Sequence, residues 1–278
     1  MKSKILGLLP SLGMLGALAA FPAHAIVVTT NTDANQLAAA ITAGGGAGLT
    51  VVSSVLSGHS NAGGISTGTY TNASGTYGIG GGVIMSSGDV ADYGDGPNTS
   101  ASKTTSYGPA ATAAQQAKLF LIDGKATHFD VTQLDVTFTT TTGEVFFNVL
   151  FGSDEFAEFK NSLFIDAFGL FVDGVNIAFY NGKPINIDHP DMAALAGTEL
   201  DGVLPGKGGS MLFSATGLGA GNHVLSFMIA DSGDTALDST AYIGSLGGTK
   251  PPDKVPEPGT LALLGLGLLG LGLTRRKA

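Results

Sequence analysis

The chain has 278 residues, of which 43 are glycine, and it contains neither cysteine nor tryptophan. Without cysteine it forms no disulfide and holds no thiolate-bound metal. The formal net charge is −9 and residues 26–255 contain no arginine. We therefore expect no nucleic-acid partner, because phosphate binding needs a basic surface. A strongly acidic surface instead favours solubility and contact with cations or neutral sugars.

The N-terminus has the pattern of a signal peptide, predicted over residues 1–25. Two lysines precede an apolar run over residues 5–21, and Ala23 and Ala25 then form an A-x-A cleavage site. We expect signal peptidase to cut after Ala25 and to leave Ile26 as the first residue of the exported protein. An uncleaved N-terminal anchor helix is the alternative interpretation.

The first elements after the signal are a short helix and a strand. Asp33 followed by Gln36 is a helix N-cap pattern, and the glycines at 44–46 end the helix. Residues 49–56 are rich in β-branched residues and serine, which predicts a strand. Residues 58–82 are rich in small and polar residues, which predicts loop with an edge strand.

The strand pattern becomes strong from Phe129 onward. Phe129 and Val131 alternate with polar residues, but the next apolar series starts at Leu134, one residue out of phase, which predicts a β-bulge. Asp173 and Gly174 predict a type I′ hairpin turn. A short helix is predicted at residues 110–121, and further strands at residues 83–87, 145–151, 168–172, 175–180, 211–213, 224–229 and 242–246.

About ten short strands joined by turns, with little helix, predict an all-β fold. We expect one antiparallel β-sandwich of jelly-roll type, with short helices, over residues 26–247. A signal helix precedes this domain, and residues 248–254 form the linker to a C-terminal transmembrane helix.

The C-terminus combines a proline-rich acidic motif, an apolar run and a basic end. The motif consists of Val255, Pro256, Glu257 and Pro258. The uncharged run over residues 260–273 predicts a transmembrane helix, although a full span needs about 20 apolar residues. Arg275 and Arg276 follow it and are expected to stay in the cytoplasm. A buried core helix is the alternative.

The segment 255–278 resembles the PEP-CTERM sorting signal of Gram-negative bacteria, in which the same three parts occur in the same order. The resemblance implies recognition by exosortase, a membrane protease that cuts near the motif. The helix is then a transient inner-membrane anchor, and the mature protein reaches the cell surface or the extracellular matrix. Because such signals are associated with bacteria that make exopolysaccharide, this polymer is an expected partner.

The densest motif of the body, residues 151–178, leaves a strand, crosses an acidic and aromatic loop and enters a hairpin. Together with residues 80–88, 96–98, 223–231 and 237–239 it resembles the choice-of-anchor L domain of bacterial surface proteins, which carry varied C-terminal anchors. Residues 242–246 depart from the family pattern, in which an aliphatic-rich strand ending in aspartate is usual. The resemblance implies an architecture and supplies no catalytic residues.

The acidic loop of this motif is a candidate calcium site. Its carboxylates are Asp154, Glu155, Glu158 and Asp166. Calcium binds six to eight such oxygen ligands on flexible loops. The alternative is that these residues are solvated turn acids and caps, since no EF-hand pattern is present. Two further candidate loops contain Asp231, Asp234 and Asp238, and Asp92 and Asp95.

Catalysis is not expected from this sequence. Asp154 and Glu158 could act as a glycosidase pair only across a substrate cleft of set width. The Gly58–Ala62 segment loosely resembles a nucleophile elbow but lacks the strand–turn–helix context. The tyrosines in predicted loops, which are candidates to contact sugar rings, are Tyr70, Tyr77, Tyr93 and Tyr107.

The sequence leaves three functions open. The leading hypothesis is a non-enzymatic structural or adhesive protein of the exopolysaccharide matrix. The second is a calcium-stabilised carbohydrate-binding module, with calcium as its cofactor, and the third is a secreted glycan hydrolase. The partners expected during processing are signal peptidase, exosortase and the inner membrane.

Overall fold

The computed structural model describes residues 26–58, 64–72, 75–94, 98, 100 and 102–251. The predicted cleavage residues Ala23 and Ala25, and the sorting motif with its apolar run and arginines, lie outside the described residues. Within the described part of the chain, no helix is long and apolar enough to cross a membrane.

Strands account for most of the regular structure. In chain order they are β1 (Val27–Thr30), β2 (Leu49–Ser57), β3 (Thr67–Thr71), β4 (Gly82–Ser86), β5 (His128–Thr140), β6 (Glu144–Ser153), β7 (Ala167–Val172), β8 (Val175–Asn176), β9 (Phe179–Tyr180), β10 (Lys183–Pro184), β11 (Gly202–Leu204), β12 (Met211–Thr216), β13 (His223–Ser232) and β14 (Ser239–Gly247). The helices are α1 (Ala34–Thr42), α2 (Ala113–Asp123) and two short 3₁₀ helices at Thr76–Gly78 and Val90–Tyr93.

Two antiparallel sheets form the body. One has the order β1-β3-β4-β14-β6, and both β11 and β12 pair with the far side of β6. The other has the order β2-β5-β13-β7-β8. The strands β9 and β10 form a separate small hairpin. This arrangement confirms the predicted all-β antiparallel fold.

The core lies between the two sheets. Alternate side chains of β6 point inward and meet those of β13 and β7, so that Phe147 contacts Phe227 edge-to-face at 5.5 Å between ring centres. Phe151 stacks on Phe168 at 6.4 Å in the same layer. Each fully buried phenylalanine stabilises the fold by about 1.5–3 kcal/mol, so this layer holds the sheets together without disulfides.

Both α-helices begin at N-cap signals of their sequence. The Asp33 carboxylate accepts hydrogen bonds from the first amides of α1, and Leu37 and Ile41 face the core. Thr112 caps α2 in a capping box with Gln115, and the helix ends at Gly124 in the left-handed conformation.

The predicted bulge and hairpin turn are both confirmed. The pairing of β13 with β5 shifts between Ile229 and Asp231, which leaves one extra residue in β5 where Asp130 has a φ of 50°. Asp173 and Gly174 both have positive φ, as a type I′ turn requires. The strand predicted over 175–180 is wrong in one respect, since it is interrupted between β8 and β9.

Candidate functional site

Several strand ends meet at one end of the sandwich because neighbouring strands run antiparallel. Ser153 at the end of β6 pairs with Ser239 at the start of β14. In the other sheet, Ser232 at the end of β13 pairs with His128 at the start of β5, and β7 starts beside the same end. Acidic residues at these ends form a group that we call the acidic cluster. Its members are Asp130, Asp154, Glu155, Asp166, Asp231 and Asp238.

Every member of the acidic cluster is buried, with at most 2 % of its surface exposed. Acidic residues are almost never fully buried unless they are paired. A buried carboxylate without a partner shifts its pKa upward or requires a cation, because burial penalises the charged form. The surroundings of each member therefore decide what the cluster can do.

Asp154 is held by neutral donors. The Asn98 amide donates to its Oδ1 at 3.0 Å and the Tyr93 hydroxyl donates to its Oδ2 at 3.2 Å. Burial raises the pKa of Asp154 to about 7, against the opposing effect of the Lys103 charge. Lys103 itself donates to the main-chain carbonyls of Asp92 and Glu199.

Glu155 and Asp166 are in contact. The Asp166 amide donates to Glu155 Oε2 at 3.1 Å, and the Ser232 amide donates to Asp166 Oδ1 at 3.1 Å. Burial raises the pKa of Glu155 to about 8. The pKa of Asp166 is also well above its usual range, because of burial first and then the charges of Glu155 and Asp231.

Asp238 is anchored on one side only. Its Oδ2 accepts a hydrogen bond from the Thr105 amide at 2.9 Å, whereas its Oδ1 has no partner among the described residues. Burial raises the pKa of Asp238 to about 7. The side chain lies directly against Gly88, where a Cβ atom would lie 1.7 Å from Asp238 Oδ2. A side chain at position 88 would therefore have to displace the Asp238 carboxylate.

The predicted calcium set is not assembled in this structure. Glu158 is exposed, and Asp154 is directed to Tyr93 and Asn98, whereas Glu155 and Asp166 lie together. In the described ranges, no three acidic or histidine side chains are placed so that they could hold one metal ion. Neighbours in the sequence are separated here because residues 154–160 form a turn after β6, in which the Asp154 and Glu155 side chains meet different partners.

The two further acidic loops have different outcomes. Asp231 and Asp238 belong to the acidic cluster, while Asp234 is only half-buried. Asp92 lies in the second 3₁₀ helix, and its pKa is raised by burial and by the charge of Asp89. Asp95 lies outside the described residues.

The prediction that loop tyrosines are available to sugars is wrong for three of the four. Tyr70, Tyr77 and Tyr93 are buried, and they cover the outer face of the seven-stranded sheet together with Tyr242 and Leu150. Tyr107 is half-buried. The glycine-rich composition of this region favours a loop, but the rings fill a second apolar cluster.

Sequence reasoning missed Glu199, which lies within this tyrosine cluster. The Tyr242 hydroxyl contacts Glu199 Oε1 at 2.6 Å, and the Tyr77 hydroxyl donates to Glu199 Oε2 at 3.1 Å. Burial raises the pKa of Glu199. The departure from the family pattern at residues 242–246 could have indicated this contact, since it places a tyrosine on a central strand.

The described histidines have structural partners. His128 contacts the Asp123 carboxylate at 2.8 Å, and His223 contacts the Asp173 carboxylate at 2.7 Å. His189 contacts the main-chain carbonyl of Tyr180 at 2.9 Å. His59 lies outside the described residues.

A groove of about 450 Å³ opens beside the small hairpin of β9 and β10. Its walls include the ring of Tyr180, the side chains of Asn181 and Asp191, and Lys207. The Asn181 amide donates to Asp191 Oδ2 at 2.7 Å. An aromatic ring beside exposed amide, carboxylate and ammonium groups is a combination that suits a polar ligand such as a sugar.

An acidic, arginine-free antiparallel β-sandwich defines the class of the body as an all-β module. The sequence pattern of the choice-of-anchor L domain matches residues 26–198, and the chain belongs to that family. The strands β11 to β14 follow the matched region and complete the two sheets. No curated protein and no solved structure matches the chain.

The C-terminal resemblance is also confirmed. Residues 254–277 match the PEP-CTERM protein-sorting motif. This motif identifies the chain as an exported surface protein that exosortase processes at the membrane.

Proposed function

We propose that this protein is a non-enzymatic structural or adhesive component of the exopolysaccharide matrix outside the cell. The observation that carries the proposal is the sorting motif at residues 254–277, attached to a domain of the choice-of-anchor L family. The structural bonds of the described histidines and the burial of the acidic cluster support a non-enzymatic role. The acidic, arginine-free body agrees with a polymer partner that is neutral or bound through cations.

The experiment compares the exported protein with a sorting-motif variant in the producing strain. Glu257→Ala alters the motif, and Asp253→Ala is the matched control because it removes a nearby acidic side chain outside the motif. We expect the wild-type protein and the control to co-sediment with exopolysaccharide after loss of the C-terminal basic residues. Glu257→Ala should remain unprocessed in the membrane fraction, as mass spectrometry of the C-terminus would show.

The proposal fails if the processed wild-type protein does not co-sediment with exopolysaccharide under any cation condition. Hydrolysis of exopolysaccharide by the pure protein would also contradict the proposal, because the protein would then be an enzyme of the matrix.

A calcium-stabilised carbohydrate-binding module is the second candidate, and the groove beside β9 and β10 favours it. Tyr180→Ala removes the ring from the groove, whereas Phe179→Ala removes a neighbouring exposed ring that does not line it. If the groove binds sugar, the Tyr180 variant loses glycan affinity by roughly twofold to tenfold, since an aromatic contact contributes about 0.5–1.5 kcal/mol. The Phe179 variant keeps its affinity. Equal behaviour of the two variants contradicts this candidate.

A further inference from the structure

Asp166 and Asp231 lie side by side at the strand ends and are fully buried. The residues next to them, Ala167 and Ala230, pair across β7 and β13, and the Ser232 amide donates to Asp166 Oδ1 at 3.1 Å. The hydroxyl of Ser239 is adjacent to Asp166 and that of Ser87 is adjacent to Asp231. The two serines are themselves joined, because the Ser239 amide donates to Ser87 Oγ at 2.9 Å. We call these four residues the buried oxygen ring.

Most side-chain oxygens of the buried oxygen ring have no hydrogen-bond partner among the described residues. They are Asp166 Oδ2, both carboxylate oxygens of Asp231, and Ser239 Oγ. Native proteins satisfy nearly all of their buried polar atoms, so several orphan oxygens in one place require an explanation. Ionised carboxylate oxygens can only accept hydrogen bonds, and a serine hydroxyl can accept as well as donate. A group of such oxygens is therefore satisfied by a positively charged partner.

Among the described residues, the groups around the ring do not supply that charge. The neutral groups nearest the Asp166 carboxylate are the Ser232 amide and the Ser239 hydroxyl, and the hydroxyl is not in hydrogen-bond geometry with it. Near Asp231 the Ser87 hydroxyl is likewise neutral and outside hydrogen-bond geometry, while Asp238, Asp130 and Glu155 add negative charge. Lys103 is engaged with main-chain carbonyls elsewhere.

We propose that a divalent cation of the calcium class binds in the buried oxygen ring, between the carboxylates of Asp166 and Asp231, with the hydroxyls of Ser87 and Ser239 as additional ligands. Two carboxylates balance a double positive charge. Calcium accepts carboxylate, hydroxyl and carbonyl oxygens in a flexible geometry, whereas magnesium requires a near-ideal octahedron. In the described ranges, no three acidic or histidine side chains could hold one metal ion. The buried oxygen ring is consistent with this because it uses two acids and two serines.

This site differs from the calcium set predicted from the sequence, of which it keeps only Asp166. The cation joins residues of both sheets, since Asp231 lies in β13 and Ser239 starts β14. It therefore acts as a cross-link at the open end of the sandwich. This site would hold the calcium of the proposed carbohydrate-binding module. Its test measures calcium binding without any glycan, so the proposed site does not depend on that function.

The test uses the exported protein, freed of metal with EDTA at about neutral pH, and then titrated with calcium, magnesium or sodium. Terbium, a luminescent substitute for calcium, reports binding through tyrosine excitation because the chain has no tryptophan. We expect one saturable calcium per chain. At a calcium concentration about 100-fold above the dissociation constant, the melting temperature should rise by about 5–10 °C. Sodium and magnesium should give smaller shifts.

Asp231→Asn tests the ring itself, and Asp173→Asn is the control at an exposed acid beyond the opposite end of β7. We expect Asp231→Asn to weaken calcium binding by roughly a hundredfold, and to melt in EDTA at or above the wild-type temperature because it removes a buried, unpaired charge. The control should bind like the wild type. If Asp231→Asn does not fold, Ser239→Ala removes a single ligand and should still weaken binding by about tenfold.

Two results would overturn the proposal. One is a wild-type protein that shows neither saturable calcium binding nor a calcium-dependent melting temperature, which would mean that protons neutralise the ring. The other is calcium binding that the Asp231 and Ser239 variants leave unchanged. Calcium binding with no retention on exopolysaccharide would instead contradict only the matrix function, so the two failures are distinguishable.

Discussion

In the folded protein, Glu199 is expected to keep its proton to a higher pH than an ordinary glutamate does. The Tyr242 hydroxyl lies 2.6 Å from Glu199 Oε1 and 2.9 Å from the Tyr93 carbonyl, yet it has a single proton. Both contacts are hydrogen bonds only if Glu199 donates its own proton to the Tyr242 oxygen. Burial acts in the same direction, since it raises the pKa of Glu199 above its ordinary value of 4.5.

The raised pKa of Glu199 determines how its contribution to folding stability changes with pH. A carboxyl group with a raised folded-state pKa stabilises the fold fully below its unfolded pKa, and this contribution is lost as the pH rises through the folded value. For Glu199 the loss begins above about 4.5. Glu199→Gln has no proton to lose in either state, so its stability lacks this component.

The change in the free energy of unfolding that each Glu199 variant causes at acidic pH follows from the contacts of Glu199 with Tyr77 and Tyr242. In Glu199→Gln the amide can donate to Tyr242 and its oxygen can accept from Tyr77, so the free energy of unfolding should stay within about 1 kcal/mol of the wild type. In Glu199→Ala the Tyr77 hydroxyl is left buried without this partner. A lost bond of about 1 kcal/mol, an unsatisfied hydroxyl of about 1–3 kcal/mol and a cavity of about 1 kcal/mol reduce stability by about 3–5 kcal/mol.

The assay is urea unfolding of the wild type and both variants between about pH 5 and about pH 8, all in EDTA. Taking the difference between wild type and Glu199→Gln removes the contributions of the other buried carboxyls, which are common to both. The glutamine variant should gain stability relative to the wild type as the pH rises. A difference that is constant with pH, or that turns in favour of the wild type, would refute the argument for a protonated Glu199.

Two further predictions concern packing. Gly88→Ala should destabilise the protein by about 1–3 kcal/mol, because its methyl group would displace Asp238, whereas Gly80→Ala, with no atom within 4 Å of the added group, should change stability little. Thermal unfolding of the two variants checks this, and equal losses would contradict it. Phe227→Ala should lower the free energy of unfolding by about 3–5 kcal/mol because it opens a cavity between the sheets. Val224→Ala, at a position that is 38 % exposed on the same strand, should lower it by less than about 1 kcal/mol in the same urea assay.

The local features of the fold could be predicted because each depends on a few neighbouring residues. The Asp173-Gly174 turn follows from the positive φ that a type I′ turn needs, and the α1 N-cap follows from the Asp33 side chain. The phase slip before Leu134 predicts the bulge at which Asp130 turns its carboxylate toward the Tyr107 and Gly108 amides. The sorting motif could also be predicted locally, because it is recognised by the order of its parts within one short segment.

Burial of the tyrosines could not be predicted in the same way. Tyr70 and Tyr77 stand in glycine-rich segments with no strong period, so their sequence surroundings indicate loop. Their rings are buried because the outer face of the seven-stranded sheet needs a cover, and Tyr242 on a distant strand completes it. Only pairing between segments far apart in the chain creates that face.

The acidic cluster could likewise be predicted from the sequence only in part. The sequence identified Asp154, Glu155 and Asp166 as unusual, but it grouped acids by their separation along the chain. Asp154 and Glu155 lie in the turn after β6, where Asp154 meets the Asn98 amide and Glu155 meets the Asp166 amide, and the pairing of β7 with β13 brings Asp166 next to Asp231. Composition and local pattern therefore determined the export signals, the strands and their turns. Strand register alone decided which carboxylates share the buried end of the sandwich, because register sets distances between residues that no local pattern connects.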